Sequence, residues 1–242
     1  SFGFMSRAQV QSYLKESVAM GVKEYYFTGG EPFLNPEMVP ILIDTLEYGP
    51  ASVLTNGTVL RDKWLAQLAE AESRSRYSLE FRVSVDGFSA ALNDPIRGQG
   101  TFDRAMEGVV RLAEFGFLPI ITAARSWPLE EEDRVIEAFV ARLRQAGCAR
   151  PRLKILPMLK LGAEAQRTAP YDEQERVTEE MLVDYDRSQL ICEHSRIVSE
   201  RGVHVCPILI EMPDSLLGKS LIEAKSSFKL NHGACMTCYQ HG

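Results

Sequence analysis

The residues best equipped for chemistry lie in Tyr25-Tyr26-Phe27-Thr28-Gly29-Gly30-Glu31-Pro32 and in a group of cysteines late in the chain. In the first stretch, an apolar run rich in β-formers breaks into two glycines, an acid and a proline. Adjacent glycines let backbone N–H groups come close to a ligand, because no Cβ stands in the way. Pro32 stiffens the exit, and Glu31 is left as an acceptor at the mouth of the strand. The same quartet also makes an ordinary turn, so its meaning depends on its surroundings. Among the cysteines, Cys235 and Cys238 form a Cys-x2-Cys pair that lets two thiolates grip one metal from a tight turn. Cys192 and Cys206 can complete four-coordinate sulfur ligation. Zinc and an iron–sulfur cluster both suit four thiolates.

The frame that must position these groups is bounded by composition. The chain has 242 residues, room for one large domain or one domain with a small appendage. An apolar fraction of 45% and a charged fraction of 25% are ordinary for a globular protein. The net charge is −6, with no Lys/Arg block or basic–aromatic stripe, which argues against a nucleic-acid partner. No apolar run approaches the roughly 20 residues of a membrane span, and a cytoplasmic protein with no membrane partner is the expectation. Four of the five cysteines fall in the last quarter, unlike the framework of a small disulfide-rich domain, so thiols or metal ligands are expected. Cys148 follows Gly147 at a helix end and reads as a buried structural thiol.

Ser6 followed by Gln9 reads as a capping box opening a helix to about Met20, with Gly21 as its stop. A strand over 24–28 comes next, then a helix from Asn35-Pro36 to about Tyr48. The strand over 51–55 ends in Asn56-Gly57, and a helix carrying Trp64, Leu65 and Leu68 follows. The strand over 79–85 ends in Asp86-Gly87, and 93–100 reads as irregular. A helix from Thr101 buries Phe102, Ala105, Met106, Val109 and Leu112. A strand over 118–123, a helix from about Pro128 and a strand over 152–158 complete the alternation. Repeated strand–helix units with short connections predict a parallel sheet, either a (β/α) barrel or a doubly wound sheet. In both, the C-terminal strand ends face the ligand. Beyond 158 the pattern changes: 160–178 reads as loop, 179–201 as helical, 203–210 as one more strand, and 211–242 shows weak periodicity.

The ordered set Phe-Thr-Gly-Gly-Glu-Pro, Leu-Thr-Asn-Gly-Thr, Val-Ser-Val-Asp-Gly and Asp-Pro-Ile-Arg-Gly-x-Gly-Thr-Phe resembles the radical S-adenosylmethionine (radical SAM) enzymes. The likeness is to the branch with a C-terminal SPASM or twitch auxiliary iron–sulfur domain. It covers roughly residues 5–160 for the core and 190–238 for the tail. The fold implied is α/β: a partial (β/α)6 TIM-like barrel over 1–158, its first strand missing, with a small cysteine-rich twitch/SPASM-like extension over 159–242. The resemblance implies backbone contact of Gly29 and Gly30 with the methionine end of SAM. Thr55 and Ser84 match positions facing SAM from the next strands, with Asn56 and Asp86 beside them, and Arg97 lies in a recurrent Arg-Gly loop. An amino-acid moiety needs acceptors for its ammonium and donors for its carboxylate, and Glu31, Asp86, Ser84, Thr55 and bare amides supply both. Asp86-Gly87 and Asn56-Gly57 are also good turn dipeptides.

The family's Cys-x3-Cys-x2-Cys loop, which holds the catalytic [4Fe–4S] cluster, is expected upstream of Gly29, yet no cysteine precedes Cys148. The expectation is that the first strand and cluster loop are missing from this sequence; the alternative is a diverged protein that never had the cluster. In the tail, the resemblance implies an auxiliary [4Fe–4S] cluster on Cys192, Cys206, Cys235 and Cys238. The activity implied is reductive cleavage of SAM to methionine and a 5′-deoxyadenosyl radical that abstracts hydrogen from a substrate. It needs a reducing electron donor. A peptide is the first candidate substrate and a small molecule the second. Two other readings are a non-catalytic SAM-fold or metal-binding module, and an unrelated barrel enzyme with a structural zinc tail.

Overall fold

The computed structural model describes residues 2–161, 164–166 and 168–241. The chain forms two units, one of Ser6–Leu156 and one of Pro157 onward together with the residues up to Met5. The sequence reading divides the chain at 158 and assigns the first residues to the core, whereas the structure assigns them to the second unit.

The larger unit alternates as read. Helix α1 (Arg7–Ala19) starts with the expected capping box: the Gln9 N–H donates to Ser6 Oγ (3.3 Å) and the Ser6 N–H to Gln9 Oε1 (2.8 Å). Strand β1 (Tyr25–Phe27), helix α2 (Met38–Thr45), strand β2 (Ala51–Thr55), helix α3 (Asp62–Arg74) and strand β3 (Leu79–Ser84) follow. After them come α4 (Ala90–Arg97), α5 (Thr101–Glu114), β4 (Ile120–Ala124), α6 (Glu132–Gln145) and β5 (Leu153–Leu156). The five strands are all parallel and ordered β1-β2-β3-β4-β5. Strand order that never reverses, joined by right-handed crossovers, brings every crossover helix to the same face. The core agrees, because Val53, Phe81, Val83, Ile121 and Ala123 pack with Leu65, Leu68, Val109, Leu112, Phe139 and Leu143 in one cluster. This decides for the partial barrel over the doubly wound sheet. Full burial of each of these side chains stabilises by about 1.5–3 kcal/mol relative to exposure. Phe81 is the hub, with its ring centroid 4.7 Å from Phe117 and 6.1 Å from Phe33.

Two elements differ from the reading. Asn35-Pro36 does not open α2; a 3-10 turn over Pro32–Leu34 intervenes, Asn35 Oδ1 accepts from the Glu37 N–H (3.0 Å), and the helix starts at Met38. The stretch expected to be irregular is helical to Arg97 despite Pro95, because the buried Asn93 and Asp94 tie it down through side-chain bonds described below.

The smaller unit has an antiparallel sheet, β6 (Ile197–Ser199), β7 (Gly202–His204) and β8 (Leu216–Gly218), and helix α8 (Gly233–His241). The expected helix over 179–201 is instead a series of 3-10 turns, the four-residue helix α7 (Ile191–His194) and β6. The strand expected over 203–210 stops at His204, and weak periodicity after 211 conceals α8. The loop reading for 160–178 extends over 162, 163 and 167, which lie outside the described residues.

One close approach sets α5 against the end of β2. A Cβ on Gly108 would collide with the Gly57 carbonyl oxygen, and Gly57 itself has φ +73°, which favours glycine. Gly108→Ala is therefore expected to lower unfolding stability by about 1–3 kcal/mol, read from urea denaturation; an unchanged midpoint would show that the helix can retreat from the loop.

Candidate functional site

The strand ends of the larger unit are tied together by two side-chain knots. In the first, Glu31 is only 5% exposed and binds across two loops. Its Oε1 accepts from Thr55 Oγ1 (2.8 Å) and the Phe33 N–H (3.1 Å), and its Oε2 accepts from the Asn56 N–H (2.7 Å). Thr55 Oγ1 in turn accepts from the Gly57 N–H (3.0 Å), and Asn56 Oδ1 accepts from the Thr58 N–H (2.9 Å) and hydroxyl (2.8 Å). The loop after β1 is thus fixed to the turn after β2 by bonds to a charged acceptor, the stronger kind.

In the second knot, Asp86 is 4% exposed, just past β3. Its Oδ1 accepts from the Ala124 N–H at the end of β4 (2.7 Å), and its Oδ2 forms an ion pair with Arg97 Nε (2.7 Å). The Asp86 N–H donates to Asn93 Oδ1 (3.0 Å). Asp94 holds the following loop, accepting from the N–H groups of Gly100 (2.7 Å) and Phe102 (3.0 Å). Burial pushes the Asp94 carboxyl up, but those N–H groups and the side chains of Asn93 and Thr101 outweigh it, and the net shift is below the ordinary carboxylate range.

Gly29 and Gly30 stand apart from both knots. They are exposed, and no heavy atom beyond their chain neighbours lies within 4 Å of where a Cβ would stand on either. Gly29 has φ +154°. The space that side chains would fill here is open to a ligand. Ser84 lies on the sheet face turned away from the helices, in register with Thr122.

In the smaller unit, Cys192, Cys206, Cys235 and Cys238 all line one pocket. Its wall is otherwise apolar, with Leu190, Val205, Leu209 and Phe228 among the lining residues. Burial pushes the Cys235 thiol up to about 11, and burial also raises Cys192 and Cys206. Among the described residues no three His, Cys, Asp or Glu groups converge on one metal-ion position. Cys148 lies in the core of the other unit, where burial raises its pKa.

The family model for the radical SAM superfamily matches residues 2–151. The chain belongs to the radical SAM superfamily. Its enzymes use SAM and a [4Fe–4S] cluster. Over 149 residues it is 31% identical to the mycofactocin maturase MftC of Mycobacterium ulcerans, a match that covers 59% of this chain and 39% of the maturase. The chain thus spans well under half the length of that relative. Its fold is similar to that of anSMEcpe with bound S-adenosylmethionine (TM-score 0.53, 18% identity, 72% of this chain and 46% of that one). It is also similar to Streptococcus suis SuiB bound to the precursor peptide SuiA (TM-score 0.56, 18% identity, 70% and 36%).

For this radical SAM chain, the geometry sorts the sequence-read residues by role. Gly29 and Gly30 stay open to a ligand. Glu31 and Thr55, read as ligand contacts, turn inward onto each other, because β2 alternation points Thr55 with Val53 into the helix-side core. In this structure both join the loop after β1 to the turn after β2. Asp86 and Arg97 come together as an ion pair, with Arg97 still partly exposed. Asn93 and Asp94 were not singled out from sequence; the signal was two short polar residues ahead of Pro95 that could bond the local backbone. No cysteine precedes Cys148, so the ligands of the superfamily's catalytic cluster are not among residues 1–147.

Two expectations follow from the knots. Glu31→Gln replaces one acceptor by an amide donor facing donors, and a loss of about 2 kcal/mol in urea-unfolding stability is expected; a neutral effect would mean the carboxylate does not join the loops. Asp94 has a lowered folded pKa, so its contribution is complete above the unfolded Asp value of about 3.9 and is lost as pH falls through the folded value. Asp94→Asn should therefore lower Tm at pH 7 and flatten the decline of Tm below about pH 4, measured by thermal unfolding across pH.

Proposed function

We propose that the chain is the SAM-binding core and auxiliary-cluster region of a radical SAM enzyme that modifies a peptide. The observation carrying this reading is the open backbone at Gly29-Gly30, held rigid by the Glu31 carboxylate against the turn after β2. Bound there, SAM supplies hydrogen-abstraction chemistry after one-electron reduction. The chain's own contribution is orientation. The Gly29 and Gly30 amides approach the methionine end, Asn56 and Ser84 offer polar groups beside it, and the Asp86–Arg97 pair fixes the β3 end that borders the ligand. Because Glu31, Thr55 and Asp86 are already bonded within the protein, the cradle needs little reorganisation on binding. An external reductant completes the reaction. The maturase relative and the peptide-bound neighbour support a peptide as substrate, ahead of a small molecule.

The four-cysteine pocket belongs to the same reading. Thiols buried among apolar side chains stay protonated until a cation offsets the charge of the thiolates. A single zinc at about 2.3 Å from each sulfur draws four sulfurs to roughly 3.8 Å of one another around one point. Four thiols lining one pocket can serve either metal, and the radical SAM core is what favours an iron–sulfur cluster over one zinc ion.

Calorimetry with SAM tests the core. Wild type is expected to bind, and Gly30→Val to lose binding at least tenfold while Tm stays the same, since a side chain there meets only open space. Equal affinity in the variant would remove Gly30 from the site. Anaerobic loading with iron and sulfide tests the tail: about four irons per chain are expected, lost in Cys206→Ser, whereas one zinc and no iron would establish the structural-zinc reading instead.

A further inference from the structure

A cavity of about 310 Å³ lies between residues 116–119, which lead into β4, and residues 147–152, which lead into β5. It is thus at the N-terminal strand ends, away from Gly29-Gly30 and both knots. Helices α5 and α6 run into it and end alike. After α5 the Gly116 and Phe117 N–H groups donate to the Ala113 and Leu112 carbonyls, each at 3.0 Å. After α6 the Gly147 and Cys148 N–H groups donate to the Arg144 and Leu143 carbonyls, again at 3.0 Å. These bonds cap both helix ends, with Gly116 (φ +88°) and Gly147 (φ +92°) in the left-handed conformation. No heavy atom beyond the chain neighbours lies within 4 Å of a Cβ built on either glycine. The residue after each glycine turns into the core, but it is a phenyl ring at Phe117 and only a thiol at Cys148. The smaller group leaves room between the two helix ends.

Val109, Ala113, Phe117 and Leu143 give this cavity an apolar wall, and the exposed Leu118 extends it. Cys148 lines it too, and burial pushes its thiol up, so it adds no charge. The charged groups are Arg150 and Arg152. Arg152 is already engaged, donating to the Leu118 carbonyl (2.7 Å) and pairing with Glu80 (2.9 Å). Arg150 is exposed and, among the described residues, has no ion pair or side-chain hydrogen bond. Between Glu137 and Lys154 the chain carries Arg142, Arg144, Arg150 and Arg152 and no acid, although its net charge is −6. An apolar cavity beside an unpaired guanidinium, in a locally positive stretch, matches an anion with an apolar body.

We infer that this cavity binds a small amphipathic anion, its apolar body between the ends of α5 and α6 and its head on the Arg150 guanidinium. A guanidinium takes a carboxylate or a phosphate through two parallel N–H bonds, so both heads share the required chemistry. The cavity volume falls within the range of small-molecule sites, which favours a free ligand over a side chain of an acidic protein. The site uses neither the glycine pair nor the knots, and it stands whether or not SAM binds at Gly29-Gly30.

The test is calorimetry on the full chain with four probes: octanoate, octyl phosphate, neutral octanol and the acidic peptide N-acetyl-Glu-Leu-Glu-amide. Labelling of each cysteine by N-ethylmaleimide, read by peptide mass spectrometry, locates the bound probe. Saturable binding of one or both anions is expected, with Cys148 protected and Cys192, Cys206, Cys235 and Cys238 labelled as before. The tighter anion identifies the head group. Arg150→Gln, at an exposed position, should weaken the anion about 3- to 10-fold, the worth of one hydrogen bond, and leave Tm unchanged. Cys148→Phe, which gives α6 the ring that follows α5, should abolish binding of both anions. No saturable binding of either anion, octanol binding as tightly as they do, or undiminished affinity in Arg150→Gln would each overturn the site. Protection of the other four cysteines in place of Cys148 would do the same. Saturable binding of the peptide alone would overturn the small-molecule assignment and make this face a protein contact.

Discussion

Donors from two loops meet on the Glu31 carboxylate, and the geometry of the strand ends depends on that meeting. Burying a carboxylate is costly unless its oxygens are bonded, and here Thr55, Asn56 and the turn after Pro32 provide the bonds. The consequence reaches Gly29 and Gly30, which precede Glu31 and where a side chain would meet only open space. A flexible glycine pair would have to be ordered by its ligand at a cost in conformational entropy. Anchoring the next residue places most of that ordering in the fold.

The same logic recurs at β3. Asp86 receives the Ala124 N–H and pairs with Arg97, while Asn93 and Asp94 fix the segment that carries Arg97. The β1 and β3 ends are thus each bonded to a neighbouring strand end through a buried acid. The acids visible in the motifs of this radical SAM chain are bonded within the scaffold. In the other unit the cysteine pocket follows a different principle, in which burial among apolar walls pushes the Cys192, Cys206 and Cys235 thiols up.

Much of this was legible in the sequence where one local cause dominates. Gln9 three residues after Ser6 produces the capping box, and the strand–helix alternation produces the parallel sheet. What escaped was determined by partners distant in sequence. The bond between Glu31 and Thr55 closes a 24-residue separation that local sequence does not show. Pro95 reads as a break, but Asn93 and Asp94 bond Asp86, Gly100 and Phe102 and keep α4 intact. The tail was least legible, since short turns and three-residue strands leave little periodicity to read.

The most direct test of the central claim, that the Glu31 knot presents Gly29-Gly30 as a preformed cradle, is amide hydrogen exchange of the full chain with and without SAM. The account predicts that Phe33 and Asn56 exchange slowly even without ligand, and that SAM adds protection at Gly29 and Gly30. Fast exchange at Phe33 and Asn56 until SAM is added, or protection confined to residues 190–240, would contradict it.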